Sequence, residues 1–137
     1  MWLRQLTVPA LVGLHGVRYR NPQARFLTHR RSYHFERRLL TDHRVDLLGV
    51  GTVAFASDLM PIDPPSWTYG DMDDLMVAIE AERLGIRRIA VHRPYRSIVE
   101  VASDQPDSLW RSARLDDSRQ SEQLAVLMRL SGRLPPD

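Results

Sequence analysis

The stretch DMDDLMVAIEAERLG, residues 71–85, decides the fold of this chain. Its apolar side chains recur at spacings of three, one and three positions, which places them on one face of a helix. The glycine at its end stands where helices commonly stop with a residue in the left-handed conformation. The stretch therefore predicts an amphipathic helix from about Asp71 to Leu84, with Gly85 following its end and an apolar face formed by Met72, Leu75, Met76 and Ile79.

Short apolar segments on both sides of this helix predict β-strands. Residues 8–17 (VPALVGLHGV) have the length and character of one buried strand. Residues 45–55 (VDLLGVGTVAF) predict a strand, a break at Gly49 and Gly51, and a second strand. Residues 86–92 predict the strand that follows the helix. Strands alternating with a helix indicate an α/β fold.

The remaining segments have weaker signals. Residues 21–43 are polar and predict a loop with a short helix near its end, and residues 60–67 predict a proline-marked loop. Residues 117–130 predict a final helix with Leu124, Leu127 and Met128 on its apolar face. At 137 residues the chain has the size of a single domain, so we expect residues 1–137 to form one core.

Composition excludes several classes of function. The chain has no cysteine, which excludes disulfides, thiol catalysis, zinc fingers and iron–sulfur ligation. No apolar run approaches the roughly 20 residues of a membrane helix, and the start of the chain lacks the apolar core of a signal peptide. We therefore expect a cytoplasmic location.

The charges are segregated along the chain. Residues 1–44 hold nine arginines against Glu36 and Asp42, whereas residues 45–82 hold eight carboxylates and neither lysine nor arginine. Such blocks predict one face that meets an anion and another site where carboxylates gather.

Three carboxylates fall in the first turn of the predicted helix: Asp71, Asp73 and Asp74. Carboxylates held close together raise at least one pKa, and a base tuned in this way can take a proton from a hydroxyl group. A purely structural role explains the same pattern, since Asp71 suits the N-cap position and the helix dipole favours negative charge at Asp73 and Asp74. The pattern alone favours the structural role.

Other motifs are less specific. Residues 48–52 (LGVGT) lack the third glycine and the following helix of a dinucleotide site, so they indicate a bend or bulge. Residues 25–38 interleave aromatic rings with arginines, a pattern that suits nucleic acid, a diphosphate or an anionic membrane surface, and that also occurs in solvated loops. His15 and His92 lie in apolar contexts typical of hydrogen-bonded core or rim histidines, and neither predicts a metal site.

Taken in order, several segments resemble the second half of bacterial family-2 glycosyltransferases of the GT-A type, nearest those that build capsule or other surface polysaccharides. The resemblance covers about residues 10–130. It is carried by residues 12–17, 33–35, 45–55 and 71–75, together with Ala78-Ile79 and Gly85-Ile86.

The resemblance implies a fold and a catalytic base. The fold would be a partial GT-A-like domain, a mixed sheet with flanking helices that lacks the N-terminal nucleotide-binding strands. Asp73-Asp74 occupies the position of the family's Glu-Asp pair, and Gly85 follows Asp74 at the family's spacing of eleven positions. Asp74 would then be the base, while the role of Asp73 stays open because the family usually has glutamate or a small residue there.

The resemblance also implies roles for neighbouring residues. The acceptor sugar would lie over Gly49, Gly51 and Thr52 and stack on Trp67 and Tyr69, for which a core or lid role is nearly as plausible. His92 and Arg93 would reach the donor diphosphate.

The ligands and partners follow from the same resemblance. A nucleotide sugar and a glycan acceptor would bind a complete enzyme, whose missing half carries the Asp-x-Asp motif for Mg or Mn. We expect this chain alone to bind no cofactor and to be inactive, and its location to be cytoplasmic or peripheral to the inner membrane face.

Two alternatives come from other classes of function. One is a non-catalytic, truncated remnant that oligomerises or pairs an exposed sheet edge with a partner. The less favoured one is a nucleic-acid binder that uses Arg30, Arg31, Arg37 and Arg38. The leading hypothesis expects no nucleic-acid partner.

Overall fold

The computed structural model describes residues 8–23, 25–101, 105 and 109–136, and shows a mixed α/β chain. The elements in chain order are β1 (Ala10–Gly13), β2 (Gly16–Tyr19), β3 (Arg30–Tyr33), β4 (His43–Arg44), β5 (Leu47–Leu48), β6 (Val53–Ala54), α1 (Asp73–Arg83), β7 (Arg87–Ala90), α2 (Leu109–Leu115) and α3 (Ser118–Leu130). Short 3₁₀ turns cover Val50–Thr52 and Pro64–Ser66. None of the helices in these ranges is long and apolar enough to cross a bilayer.

The strands form two sheets. The larger sheet has the order β4-β7-β1-β6, in which β1 runs parallel to β7 and the other pairs are antiparallel. The smaller sheet, β3-β2-β5, is entirely antiparallel. The connection between the parallel strands β1 and β7 includes α1, because parallel neighbours need a long crossover. The α/β class and the mixed sheet predicted from the sequence are confirmed.

The prediction of one strand over residues 8–17 is wrong, because the segment forms β1 and β2 in different sheets. The amides of Leu14 and His15 leave the strand ladder and donate to the Thr52 hydroxyl oxygen at 3.3 and 3.2 Å. The Thr52 side chain, which lies far along the sequence, therefore ends β1, and the chain continues into β2 of the other sheet. The break at residues 49–51 was predicted correctly, since a 3₁₀ turn separates β5 from β6.

The prediction of a loop with a short helix over residues 21–43 is also wrong. The described residues of this segment contain β3 and the first residue of β4, and no helix. β3 lies at the edge of the smaller sheet, where only Tyr33 of its four residues is buried. An edge strand with a solvated face carries polar residues, so apolar periodicity could not reveal it.

Helix α1 begins two residues later than predicted and ends as its sequence indicates. Its N-cap is Met72, which makes no side-chain capping bond, so the interpretation of Asp71 as the N-cap is wrong. Instead, Asp71 pairs with Arg119 at 3.3 Å. Gly85 has a φ of 67°, and the amide of Ile86 donates to the Ala81 carbonyl at 2.8 Å, which closes the helix in the manner of a Schellman motif.

The core has two apolar clusters, one on each side of α1. The first contains Leu75, Met76 and Ile79 of α1 together with the predicted apolar face of α3, namely Leu124, Leu127 and Met128. The second joins Val77 and Ala81 of α1 to strand residues including Leu11 and Leu48. Because α1 buries both faces, its N-terminal turn is held firmly against the strands and the turns between them.

Candidate functional site around Asp74

The first turn of α1 meets the turn between β5 and β6 through one hydrogen bond. The amide N–H of Val50 donates to Oδ1 of Asp74 at 2.8 Å. Val50 opens the 3₁₀ turn Val50–Thr52, so the strand–turn–strand segment places a backbone donor over the helix start. This bond of the Asp74 carboxylate is to an amide outside its own helix.

Burial raises the pKa of Asp74 above its ordinary value of 3.8. The nearby charge of Asp73 raises this pKa further, while the bond from Val50 opposes the shift. Neither aspartate forms an ion pair within the described parts of the chain. The carboxylate is thus costly to ionise and readily accepts a proton, as a general base requires.

Two cavities open beside these residues, and Val50 and Asp73 line both. The first has a volume of about 250 Å³ and contains the carboxylates of Asp71 and Asp74 on its wall. The second has a volume of about 230 Å³ and is lined by Trp67 and by aliphatic and aromatic side chains. Each volume lies below the roughly 300–1,000 Å³ of drug-sized ligand sites, so each suits a small ligand.

Of the predicted acceptor residues in the turn between β5 and β6, Gly51 is open to its surroundings, whereas Gly49 and Thr52 make contacts within the protein. A Cβ atom at Gly51 would meet nothing within 4 Å, so this position is open. A Cβ at Gly49 would lie 3.3 Å from His15, and Thr52 receives the amides of the β1–β2 turn. Gly49 and Thr52 therefore shape the turn. Like Gly51, they line neither of the two cavities.

The two predicted aromatic residues have different surroundings. Trp67 lines the second cavity and contacts both core clusters. Tyr69 packs against the first core cluster, and the guanidinium of Arg119 lies 4.6 Å from the centre of its ring. A ligand in the cavities can contact Trp67, whereas Arg119 already occupies one face of Tyr69.

His92 and Arg93 lie at the end of β7, where each bonds to other parts of the chain. The Asp42 carboxylate accepts hydrogen bonds from the His92 amide at 2.7 Å and contacts Nδ1 at 2.8 Å. Arg93 is buried, and its guanidinium donates to four main-chain oxygens, those of Tyr33, His34, Phe35 and Val91. Arg93 thereby links the segment after β3 to the end of β7, which is a structural role.

The sequence did not reveal four residues that line the first cavity, Phe26, Val50, Ala113 and Gln120. Phe26 is positioned by two distant side chains, because its amide donates to Ser121 at 3.0 Å and its carbonyl accepts from the Tyr19 hydroxyl at 2.7 Å. Only Val50 could have been singled out from its neighbours in the sequence, because it lies between two glycines.

The aromatic rings of the arginine-rich stretch are used within the protein. Tyr33 is buried and stacks on His43 with ring centres 4.8 Å apart, and Phe35 stacks on His34 at 4.3 Å. Arg30 and Arg31 lie over Phe26 and Tyr33 at 5.7 and 5.2 Å. This arrangement leaves few rings for stacking on nucleic-acid bases.

Among the residues that the structure describes, no group of three or more His, Asp or Glu side chains is arranged to hold a metal ion.

Comparison with known proteins returns no match, either to a family model or to a curated protein sequence.

Proposed function

We propose that this chain is the acceptor-side part of a family-2-like, GT-A-type glycosyltransferase. Such an enzyme transfers a sugar from a nucleotide sugar to a hydroxyl group of a glycan or surface-polysaccharide acceptor. The observation that supports the proposal is the half-buried carboxylate of Asp74, which has a raised pKa, accepts a hydrogen bond from the Val50 amide and belongs to a residue that lines a cavity.

In the proposed reaction Asp74 is the general base. The acceptor hydroxyl gives its proton to the Asp74 carboxylate while its oxygen forms a bond to the anomeric carbon of the donor. The bond between that carbon and the diphosphate oxygen breaks, and the nucleoside diphosphate leaves with the electron pair. This single displacement inverts the anomeric configuration. A raised pKa brings the base closer to the working pH and favours proton transfer.

The residues around Asp74 suit a sugar. Trp67 offers an aromatic face in the second cavity, on which the apolar side of a sugar ring can pack. Asp73 lines both cavities and offers oxygens that accept hydrogen bonds from sugar hydroxyls. Gly51 leaves the neighbouring backbone open to a ligand.

Turnover can be tested by supplying a separately expressed donor-binding half of a family-2 enzyme. The mixture is incubated with Mg²⁺ or Mn²⁺, a panel of nucleotide sugars and oligosaccharide acceptors, and release of nucleoside diphosphate is measured. Asp74→Asn should lower acceptor-dependent release by about 10²-fold or more, the usual contribution of a general base. The control is Asp58→Asn, which removes an exposed carboxylate that lines neither cavity. Equal turnover in wild type and Asp74→Asn would refute the role of the base.

Acceptor binding can be tested on the chain itself. In a ¹⁵N-resolved NMR titration with mono- and disaccharides, the amides of residues 49–52 and 67–77 should shift together. Trp67→Leu should weaken this response, while Asp58→Asn should leave it unchanged. Shifts confined to other regions, or an unchanged spectrum with every saccharide, would argue against an acceptor site here.

The alternative of a non-catalytic oligomerising remnant receives little support from the larger sheet. The edges of the larger sheet are β4 and β6, which have two residues each. Such short edges are poor templates for pairing with another chain.

A further inference from the structure

A third cavity lies towards the opposite end of α1 from Asp74. A cleft of about 620 Å³ opens between β2, β3, β4 and the region that follows α3, and six arginines line it: Arg18, Arg20, Arg31, Arg44, Arg88 and Arg133. On α1 the cleft is lined by Glu82, which lies eight positions after Asp74. Eight positions correspond to roughly 12 Å along a helix. The cleft is thus separate from the proposed acceptor site, and its role is independent of that proposal.

The two carboxylates that line the cleft already bind other groups of the protein. Glu82 pairs with Arg88. Asp46 accepts from the guanidinium of Arg133 at 3.1 Å and from the amide of Tyr19 at 2.7 Å. Six arginines and two carboxylates leave a net charge of +4 among the lining side chains.

The excess charge is concentrated on one strand pair. Arg18 of β2 and Arg31 of β3 are partners in the antiparallel register, so their side chains project from the same face of the sheet. Arg20 directly follows the end of β2 and also lines the cleft. Like charges directly opposite each other destabilise a sheet. Within the described residues, Arg18, Arg20 and Arg44 form no ion pair that would offset this repulsion.

Arg88 adds a buried positive group to the cleft. Its side chain is 5% exposed, and its terminal nitrogens donate to Glu82 and to the carbonyl of Ala78, the latter at 3.1 Å. Its Nε is buried and has no hydrogen-bond partner in the described structure. An unpartnered donor of this kind is costly in a folded protein, and is one feature expected of a ligand site.

We propose that this cleft binds a small ligand carrying two or more phosphate groups. Guanidinium groups match the geometry of phosphate oxygens and can bind them in pairs. The volume falls in the roughly 300–1,000 Å³ range of small-molecule sites. The rings in the cleft, Tyr19 and Tyr33, are buried, which disfavours the base stacking that single-stranded nucleic acid uses.

Calorimetric titration of the wild-type chain with pyrophosphate and with inorganic phosphate tests the proposal. Pyrophosphate should bind at least about tenfold more tightly than phosphate, because more arginines can engage it at once. The double variant Arg18→Gln/Arg31→Gln should weaken pyrophosphate binding by about tenfold or more without lowering the melting temperature, because it also removes the repulsion between the strands.

The matched control is Arg37→Gln/Arg38→Gln, which removes the same charge from two exposed arginines that do not line the cleft. This control should keep the wild-type affinity for pyrophosphate. Equal weakening by both double variants would show a general charge effect and overturn the proposal, as would no measurable pyrophosphate binding by the wild type.

Two further probes identify the source of the phosphate. Cardiolipin vesicles, whose headgroups carry two phosphates, that bind the wild type but not Arg18→Gln/Arg31→Gln, alongside pyrophosphate binding with the same dependence, would support the site with a lipid headgroup as its ligand. A thymidine oligonucleotide that binds more tightly than pyrophosphate, and is weakened equally by both double variants, would overturn the proposal in favour of a nucleic-acid surface.

Discussion

The Val50 amide and the Asp74 carboxylate are joined by a 2.8 Å hydrogen bond across 24 positions of the sequence. The bond connects the turn after β5 to the first turn of α1. It fixes the carboxylate in place and favours its ionised form, while burial disfavours that form. The location and the protonation of the proposed base therefore both depend on the turn as well as on the helix.

Asp74→Asn should stabilise the chain at neutral pH. Because the folded-state pKa of Asp74 is raised, the folded chain keeps this proton to a higher pH than the unfolded chain does. The stability that this proton contributes is complete below the ordinary value of 3.8 and is lost as pH rises through the folded-state pKa. Asparagine does not titrate, so the variant should melt at a higher temperature than wild type at pH 7.

The measurement is thermal unfolding of both proteins between about pH 3 and pH 8. The difference in melting temperature should shrink towards acidic pH. Asp58→Asn, at an exposed position, should show no such pH-dependent gain. A difference between Asp74→Asn and wild type that stays constant across this range would contradict the prediction.

Val50→Pro should raise the pKa of Asp74 further. Proline lacks the N–H that donates to Asp74 and is tolerated at the first position of a helical turn, which Val50 occupies. Gly49 has a φ of −69° and a ψ of 115°, a conformation that a residue before proline adopts readily. The carboxyl titration is followed by ¹³C NMR. Val50→Ala keeps the N–H and should keep the wild-type pKa; an unchanged pKa in Val50→Pro would show that the bond has no influence.

Local periodicity predicted the helices α1 and α3, because Leu75 and Leu124 each belong to an apolar face that repeats along the chain. The left-handed conformation of Gly85 was likewise predictable from local sequence, because a glycine directly after a helical stretch commonly adopts it. The division of residues 8–17 into two strands did not, since it depends on Thr52, almost 40 positions away. For the same reason the sequence indicated a carboxylate-rich helix start and a break at residues 49–51, but not the hydrogen bond that joins them.

Arg93→Met should destabilise the fold by about 2–4 kcal/mol, because it removes the donor from several buried main-chain oxygens. Urea unfolding measures the change. Arg38→Met, at an exposed position, should stay within about 0.5 kcal/mol of wild type. If Arg93→Met left stability unchanged and instead lowered nucleotide-sugar turnover with the donor half, the residue would serve the donor diphosphate, as the family resemblance implies.

Gly85→Ala should cost roughly 1–2 kcal/mol of stability, the usual penalty for a left-handed conformation in a residue with a Cβ. A Cβ at this position would meet nothing within 4 Å, so the penalty arises from the φ of 67° and not from a clash. Gly51→Ala is the matched control, since its surroundings are equally open and its φ is not positive. It should change the free energy of unfolding by less than about 0.5 kcal/mol. If urea unfolding showed equal destabilisation of the two variants, the backbone conformation at Gly51 would require glycine, as it does at Gly85. Gly51 would then have a structural role, and we would no longer regard it as a position left open for the acceptor.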